Sequence, residues 1–352
     1  MNSVGIALPA TRIRAGRRTV LGGLVLLLLV TATLGMTSGA MHLSAADVFG
    51  ALLRWITGKP AQGDDAIVLT LRLPRVLMAS LVGAALACSG ATMQGMFRNP
   101  LVEPGLIGVS SGSALGAIGV IVLGGGLGST FFGSFGIALA AFVGGLLTTA
   151  MVYAIGRRRS GTATLLLAGV AINAIAMAGI GVLTYMASER QLRDLSFWTL
   201  GSLGGTDWIR LASVAPWIVL SLVLLPRYAR ALNALLLGER EAVLLGYRTE
   251  RLQQQLIALT ALATSAAVAM CGVISFVGLL VPHALRIAWG PDHRLLLPAS
   301  AIGGAILLIG ADALARTVVA PAELPIGIIT ALLGGPFFLW LLMRTRIGEV
   351  RA

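Results

Sequence analysis

Lysine is almost missing from this sequence. Lys59 stands alone beside 25 arginines, and Pro60 follows it. The chain therefore has no G-x-x-x-x-G-K-[ST] phosphate loop and does not hold ATP by that route. Charge of either sign is scarce, at 11% of residues, where soluble domains carry about 25%. That excludes a water-facing globular domain. There are two cysteines, Cys88 and Cys271, both inside apolar runs, which reads as small packing residues rather than a disulfide or metal site. His42, His283 and His293 have no second ligand at helical spacing, so no metal pattern is present. His283, after Pro282, reads as a loop residue at a span end. No catalytic constellation is found.

What the chain does have is apolar length. Of its 352 residues 57% are hydrophobic, with a mean hydropathy of +0.91. This is a polytopic membrane protein. The 45 glycines fit close helix contacts in a bilayer. A helix crosses about 30 Å of hydrocarbon with about 20 residues. Ten spans are expected, near 19–36, 76–95, 107–124, 134–155, 164–186, 209–226, 254–273, 274–288, 295–314 and 326–343. The eighth is short and follows the seventh with almost no linker. Residues 1–18 form a basic segment, and 19–352 a single transmembrane domain. Basic residues also precede cleaved signal peptides, but a long apolar run with more spans behind it favours a retained first helix.

The net charge of +12 would suit nucleic acid, yet cytoplasmic loops of membrane proteins collect arginine for their own reason. With both termini inside and ten spans, 18 of the 26 basic residues fall in the cytoplasm. Nine spans would put the C-terminal arginines outside, which supports splitting the seventh span from the eighth. Residues 39–70 and 187–207 then form periplasmic loops. Residues 227–251, too polar to cross, read as one or two short amphipathic helices broken at Gly238 and Gly246. They serve either as an interfacial anchor or as a contact for a partner. The segment FRNPLVEPGLIG (97–108) interrupts two apolar runs and reads as a turn at the cytoplasmic border, with Pro100 and Pro104 stopping the helix.

Few polar groups remain inside. Asp312 is the deepest acid; Arg316 lies one helical turn on, so a paired acid at the membrane border is the plainer reading than a proton site. Gly108, Gly112 and Gly116 make a small-xxx-small stripe that either packs helices or lines a path. Arg72 and Arg75 in LRLPR, with Arg316, stand at the outer mouth, either snorkelling to headgroups or meeting an acidic partner. The loop from Arg157 to Gly169 is small, polar and suited to a gate or to a plain turn. The chain reads as a pathway whose energy comes from elsewhere.

The run RLPRVLMASLVGAALACSGATMQGMFRNPLVEPGLIGVSSGSALGA resembles the signature of FecCD-type permeases, the membrane subunits of bacterial ABC importers for iron-siderophores, haem and cobalamin. FWTLGSLGG, LNALLLGEREAVLLGY, GVISFVGLLVPHALR and ADALARTVVAPAELPIGIITALLGGPFFLWLL match as well. The resemblance implies an all-α, ten-span, type II ABC importer permease in the bacterial inner membrane. It also implies a homodimer with the pathway on its twofold axis, a periplasmic binding protein outside, and two cytoplasmic ATP-binding subunits. ATP and Mg belong to those subunits; this chain carries no cofactor, no metal and no enzyme activity.

Carried over, Arg72, Arg75 and Arg316 become binding-protein docking residues. Gly238, Glu239, Ala242 and Gly246 fall on the coupling segment, and Thr162 and Ala163 on the cytoplasmic gate. Ala163 stands where a serine can occur. FRNPLVEPGLIGVSSG and FWTLGSL look nearest to haem-uptake members, so haem leads, ahead of ferric siderophores and cobalamin. A secondary carrier and a membrane-embedded enzyme are the competing classes.

Overall fold

A computed structural model describes residues 16–39, 41, 43–124, 133–157 and 162–344. Among the described residues every regular element is helical. In order they are α1 (Arg17–Thr37), α2 (Ala45–Ile56), a π-helical turn (Ile67–Arg72) running into α3 (Leu73–Phe97), a 3-10 turn (Pro104–Ile107), α4 (Val109–Leu123), α5 (Gly133–Gly156), α6 (Thr162–Met186), α7 (Glu189–Leu200) and α8 (Trp208–Leu224), which a 3-10 turn (Leu225–Tyr228) follows. Then come α9 (Ala229–Leu237), α10 (Glu239–Leu244), α11 (Thr249–Cys271), α12 (Val277–Trp289), α13 (His293–Thr317) and α14 (Ile326–Arg344).

Seven helices are long and apolar enough to cross a membrane, and three apolar ones are shorter: Val109–Leu123, Val277–Trp289 and Ile326–Trp340. Together they fall at the ten expected places. The expected loops hold structure of their own. In 39–70, α2 starts with a capping box, Ser44 Oγ accepting from Asp47 N–H and Asp47 answering to Ser44 N–H. In 187–207, α7 starts the same way with Ser188 and Gln191. Between 227 and 251, Gly238 at φ 137° separates α9 from α10, and Gly246 at φ 88° ends the second. Of the one or two short helices its sequence allows, that segment forms two.

The core is α3. Its 79–97 stretch is almost entirely buried, and it packs along α13, α12, α11 and α8. Glycine makes the contacts possible: a methyl group at Gly83 would collide with the Gly304 carbonyl of α13, and one at Gly90 with the Gly278 carbonyl of α12. On α4, Gly112 and Gly116 face the Gly144 and Ala140 carbonyls of α5 in the same way. The small-residue stripe therefore packs two helices of this chain.

Two stretches depart from the sequence reading. FRNPLVEPGLIG turns at the exposed end of α3, as its sequence predicts, but does not stay there. Arg98, left-handed at φ 53°, stops α3, after which the chain turns back into the bundle. A Cβ at Gly278 would lie 3.4 Å from Pro104 Cδ and 2.9 Å from Leu86 O. Leu86 is about 16 Å up α3 from Phe97 at 1.5 Å per residue. The helix ends at Arg98, ahead of both prolines, and Pro104 instead opens a 3-10 turn; Val102 and Ile107, each 1% exposed, draw the stretch inward.

His283 is likewise no loop residue: it lies within α12, its ring 6.2 Å from that of Phe337. Pro282 is tolerated there because another side chain serves the carbonyl it leaves unbonded. Its missing N–H would have met Gly278 O, which takes a hydrogen bond from Gln94 Nε2 at 3.3 Å instead.

Candidate functional site

The sequence-predicted residues gather at opposite ends of α13. At one end stand the arginines. Arg72, 7% exposed, donates to the carbonyls of Met36 (2.5 Å), Thr37 (2.9 Å) and Met41. Arg316, 8% exposed, donates to Ser38 O at 2.7 Å and Gly35 O at 2.9 Å and pairs with Asp312 at 3.0 Å. Both cap the last turn of α1, whose final carbonyls have no partner within the helix. Neither snorkels.

Arg75 faces Asp312 at 2.9 Å and, with its other edge, Glu323 at 2.9 Å. It is the most exposed guanidinium of the three, at 15%, and Glu323 beside it is 46% exposed. The Arg75 hydrogen bond holds the Glu323 carboxyl below its ordinary range. The expected i,i+4 pair of Asp312 and Arg316 is present, and Asp312 serves Arg75 as well. Glu323, with no periodic relation to Arg75, was missed by sequence reasoning. Nearby, Arg54 grips Asp65 at 2.6 Å, and this bond drives the Asp65 carboxyl down to about 2.

At the other end lies the α9–α10 segment. Ala242 is fully buried, Gly238 and Gly246 take left-handed conformations, and Glu239 accepts from Gln253 Nε2 at 3.2 Å. Thr162 opens α6 and Ala163 is exposed beside it; 158–161 of the expected gate loop lie outside the described residues.

Between the ends is a chamber of about 490 Å³ bordered by Glu103, Gly105, Ser111, Asn173, Thr264 and Ser275, among others. Residues 103–106 of the fold-back stretch and 273–275, in the link between α11 and α12, border it, which suits the rule that non-helical backbone within a membrane bundle lines a cavity or is buried in protein. Asn173 of α6 ties into this wall, donating to Gly105 O at 3.2 Å and accepting from Ser111 Oγ at 2.5 Å. Sequence reasoning covers Glu103 and Gly105 only as part of a turn and Ser111 only as part of the small-residue stripe that packs helices or lines a path; it singles out none of Asn173, Thr264 and Ser275. Among the described residues, no group of three His, Cys, Asp or Glu is placed to hold a metal ion.

The profile of the FecCD transport family matches residues 26–344. The chain belongs to that family. It is 46% identical to the hemin transport system permease protein HmuU of Yersinia pestis, over 95% of this chain and 98% of the relative. It is 40% identical to the vitamin B12 import system permease protein BtuC of Klebsiella pneumoniae, over 94% of this chain and 95% of the relative. Among solved structures, one described as an inward-facing conformation of a metal-chelate type ABC transporter superposes with a TM-score of 0.82 at 33% identity, covering 93% of this chain and 99% of that one. This FecCD chain is thus a multi-pass ABC permease, a transport component whose all-helical fold is consistent with a type II permease.

Proposed function

We propose that this chain is the permease subunit of an ATP-driven importer that carries haem from periplasm to cytoplasm. The reading is carried by the end-to-end similarity to a hemin permease. It is supported by the absence of a phosphate loop in a chain whose only lysine is Lys59, so that hydrolysis belongs to partner subunits. Cobalamin is the second reading, favoured by the 40% identical vitamin B12 permease; ferric siderophores come third.

In this reading the chain pairs with a second copy in the bacterial inner membrane, both termini in the cytoplasm. Arg72, Arg75 and Arg316 mark the periplasmic mouth. The opposite end carries Arg98, Arg157, Arg227, Arg230, Arg240, Arg248 and Arg251, which agrees with the positive-inside rule. A periplasmic binding protein docks at the mouth, where Arg75 is the least buried of the three guanidiniums and is shared with the exposed Glu323, while Arg72 and Arg316 hold the surrounding backbone in shape. Two ATP-binding subunits engage the segment around Gly238, Glu239, Ala242 and Gly246. Their nucleotide cycle moves that segment. Helix α6, which begins at the gate residues Thr162 and Ala163, tilts in response, opening the chamber to one side and then the other.

Uptake by proteoliposomes tests this, with haem and cobalamin offered separately. Haem should accumulate only with ATP on the cytoplasmic side and the ATPase subunits present. Accumulation by the chain alone under a proton gradient would contradict the proposal.

A further inference from the structure

Asn233 lies in the middle of α9 and makes three bonds to the start of α13. Its Oδ1 accepts from His293 N–H at 2.9 Å and from His293 Nδ1 at 2.8 Å. Its Nδ2 donates to Asp292 Oδ1 at 2.6 Å. Only one orientation of the amide satisfies all three, and it sets the proton on Nδ1 of the ring. Asp292 in turn caps α13 through Arg294 N–H at 3.0 Å. The His293 ring is fully buried, and it lies against Gly95 in the last turn of α3, where any side chain would strike Nε2. One amide therefore joins three helices.

The neighbours of that amide hold α9 differently. Leu232 and Leu235 are buried at 0% and 1%, a contact without direction that permits sliding. Among the described residues, the side-chain hydrogen bonds from α9 to the bundle all come from Asn233. Beyond the clamp, α13 runs for 25 residues, pressed to α3 at Gly304 and Gly83, and ends in the Asp312, Arg316 and Arg75 cluster.

We propose that Asn233 is a positioning residue that locks the coupling segment to the α13–α3 pair, so that displacement of that segment moves the pair instead of slipping beneath it. This rests on the ATP-driven permease reading. With the clamp gone, α9 keeps its apolar seat, hydrolysis continues, and less of it ends in transport.

The test uses the assembled transporter, with its ATPase subunits, in proteoliposomes, measuring ATP hydrolysis and ligand uptake together. Asn233→Ala should leave hydrolysis near the wild-type rate while uptake per ATP falls by about 10-fold, the size of a lost charge-assisted bond pair. Asn233→Asp should fall as well, because it sets a carboxylate against Asp292. The double variant Asn233→Asp/Asp292→Asn exchanges donor and acceptor and rebuilds the three bonds of residue 233. It gives up the Arg294 N–H cap, which uses the same Asp292 oxygen, so it should recover part of the uptake per ATP. A structural role alone would lower hydrolysis and uptake in proportion and gain nothing from the exchange. Wild-type uptake per ATP in Asn233→Ala, or no recovery in a double variant of wild-type thermal stability, overturns the proposal. Failure of the wild type to take up ligand with ATP defeats the permease reading itself.

Discussion

Helices α3 and α6 have the same length and are both rich in alanine, leucine and glycine, yet have opposite surroundings. The span containing α3 has a hydropathy of 1.8 and is 83% buried; that of α6 has 2.2 and is 22% buried. Both carry alanine and glycine throughout. In a bilayer, lipid tails are as apolar as leucine, so hydropathy records membrane depth and says little about which helix is wrapped by others. What separates the two is where the small residues meet a backbone. Gly83 and Gly90 touch carbonyls of α13 and α12 along the middle of α3, whereas on α6 only Gly169, near its start, meets a carbonyl, that of Leu106, and Gly181 has nothing within 4 Å of a Cβ. On this account α3 with α13 is a packed rod, and α6 is a wall with room to move.

The strongest challenge to that contrast is steric. Gly83→Leu should abolish recovery of monodisperse protein, since the obstructing atom is backbone and cannot swing aside, whereas Gly181→Leu should shift stability by less than about 0.5 kcal/mol. Size-exclusion profiles and thermal melts in detergent read both.

Next comes charge. Asp312→Ala leaves Arg75 and Arg316 facing each other without a carboxylate between them, and should cost about 3–5 kcal/mol. A melting point unchanged by this substitution would show that the rod does not depend on its outer ion cluster.

On α6 the matching polar contact is lighter. Asn173→Ala removes one hydrogen bond to the fold-back stretch at Gly105 and one to Ser111 of α4, and should cost about 1–2 kcal/mol. Its larger consequence should be looser positioning of α6, seen as faster hydrogen exchange in that helix. Equal exchange in variant and wild type would contradict the tie.

The smallest effect concerns the loop before α3. Arg54 holds the folded-state pKa of Asp65 at about 2, below the ordinary carboxylate value of about 3.9. The stabilisation is complete above about pH 4 and fades as pH falls toward 2. Trp55, next to Arg54 and 6.2 Å from Trp208, should report this as a fluorescence change in that window. Asp65→Asn should remove the transition and leave α3 intact.

How much of this was legible in the sequence follows from the range of each interaction. Helices and their breaks were legible: Gly238 and Gly246 separate amphipathic runs, and Asp312 and Arg316 are one turn apart. Partners distant in sequence were not. Arg75 meets Glu323, and Asn233 meets Asp292 and His293, with no periodicity to betray either pair. The fold-back stretch was legible only as a turn, because prolines and an arginine look alike at a border and at a fold-back. Only the packing of Val102, Pro104 and Ile107 against other helices tells them apart. His283 was misread because Pro282 signals a helix end, and Gln94, which removes that penalty, comes from another helix.

The most direct test is a pair of distances in the assembled transporter, measured by spin labels with and without ATP. One pair, at Leu77 and Leu314, reports on the rod; the other, at Val182 and Leu314, reports on α6 against it. The account predicts that the first distance stays fixed through the nucleotide cycle while the second changes. A fixed second distance, or a rod that comes apart when ATP binds, would contradict it.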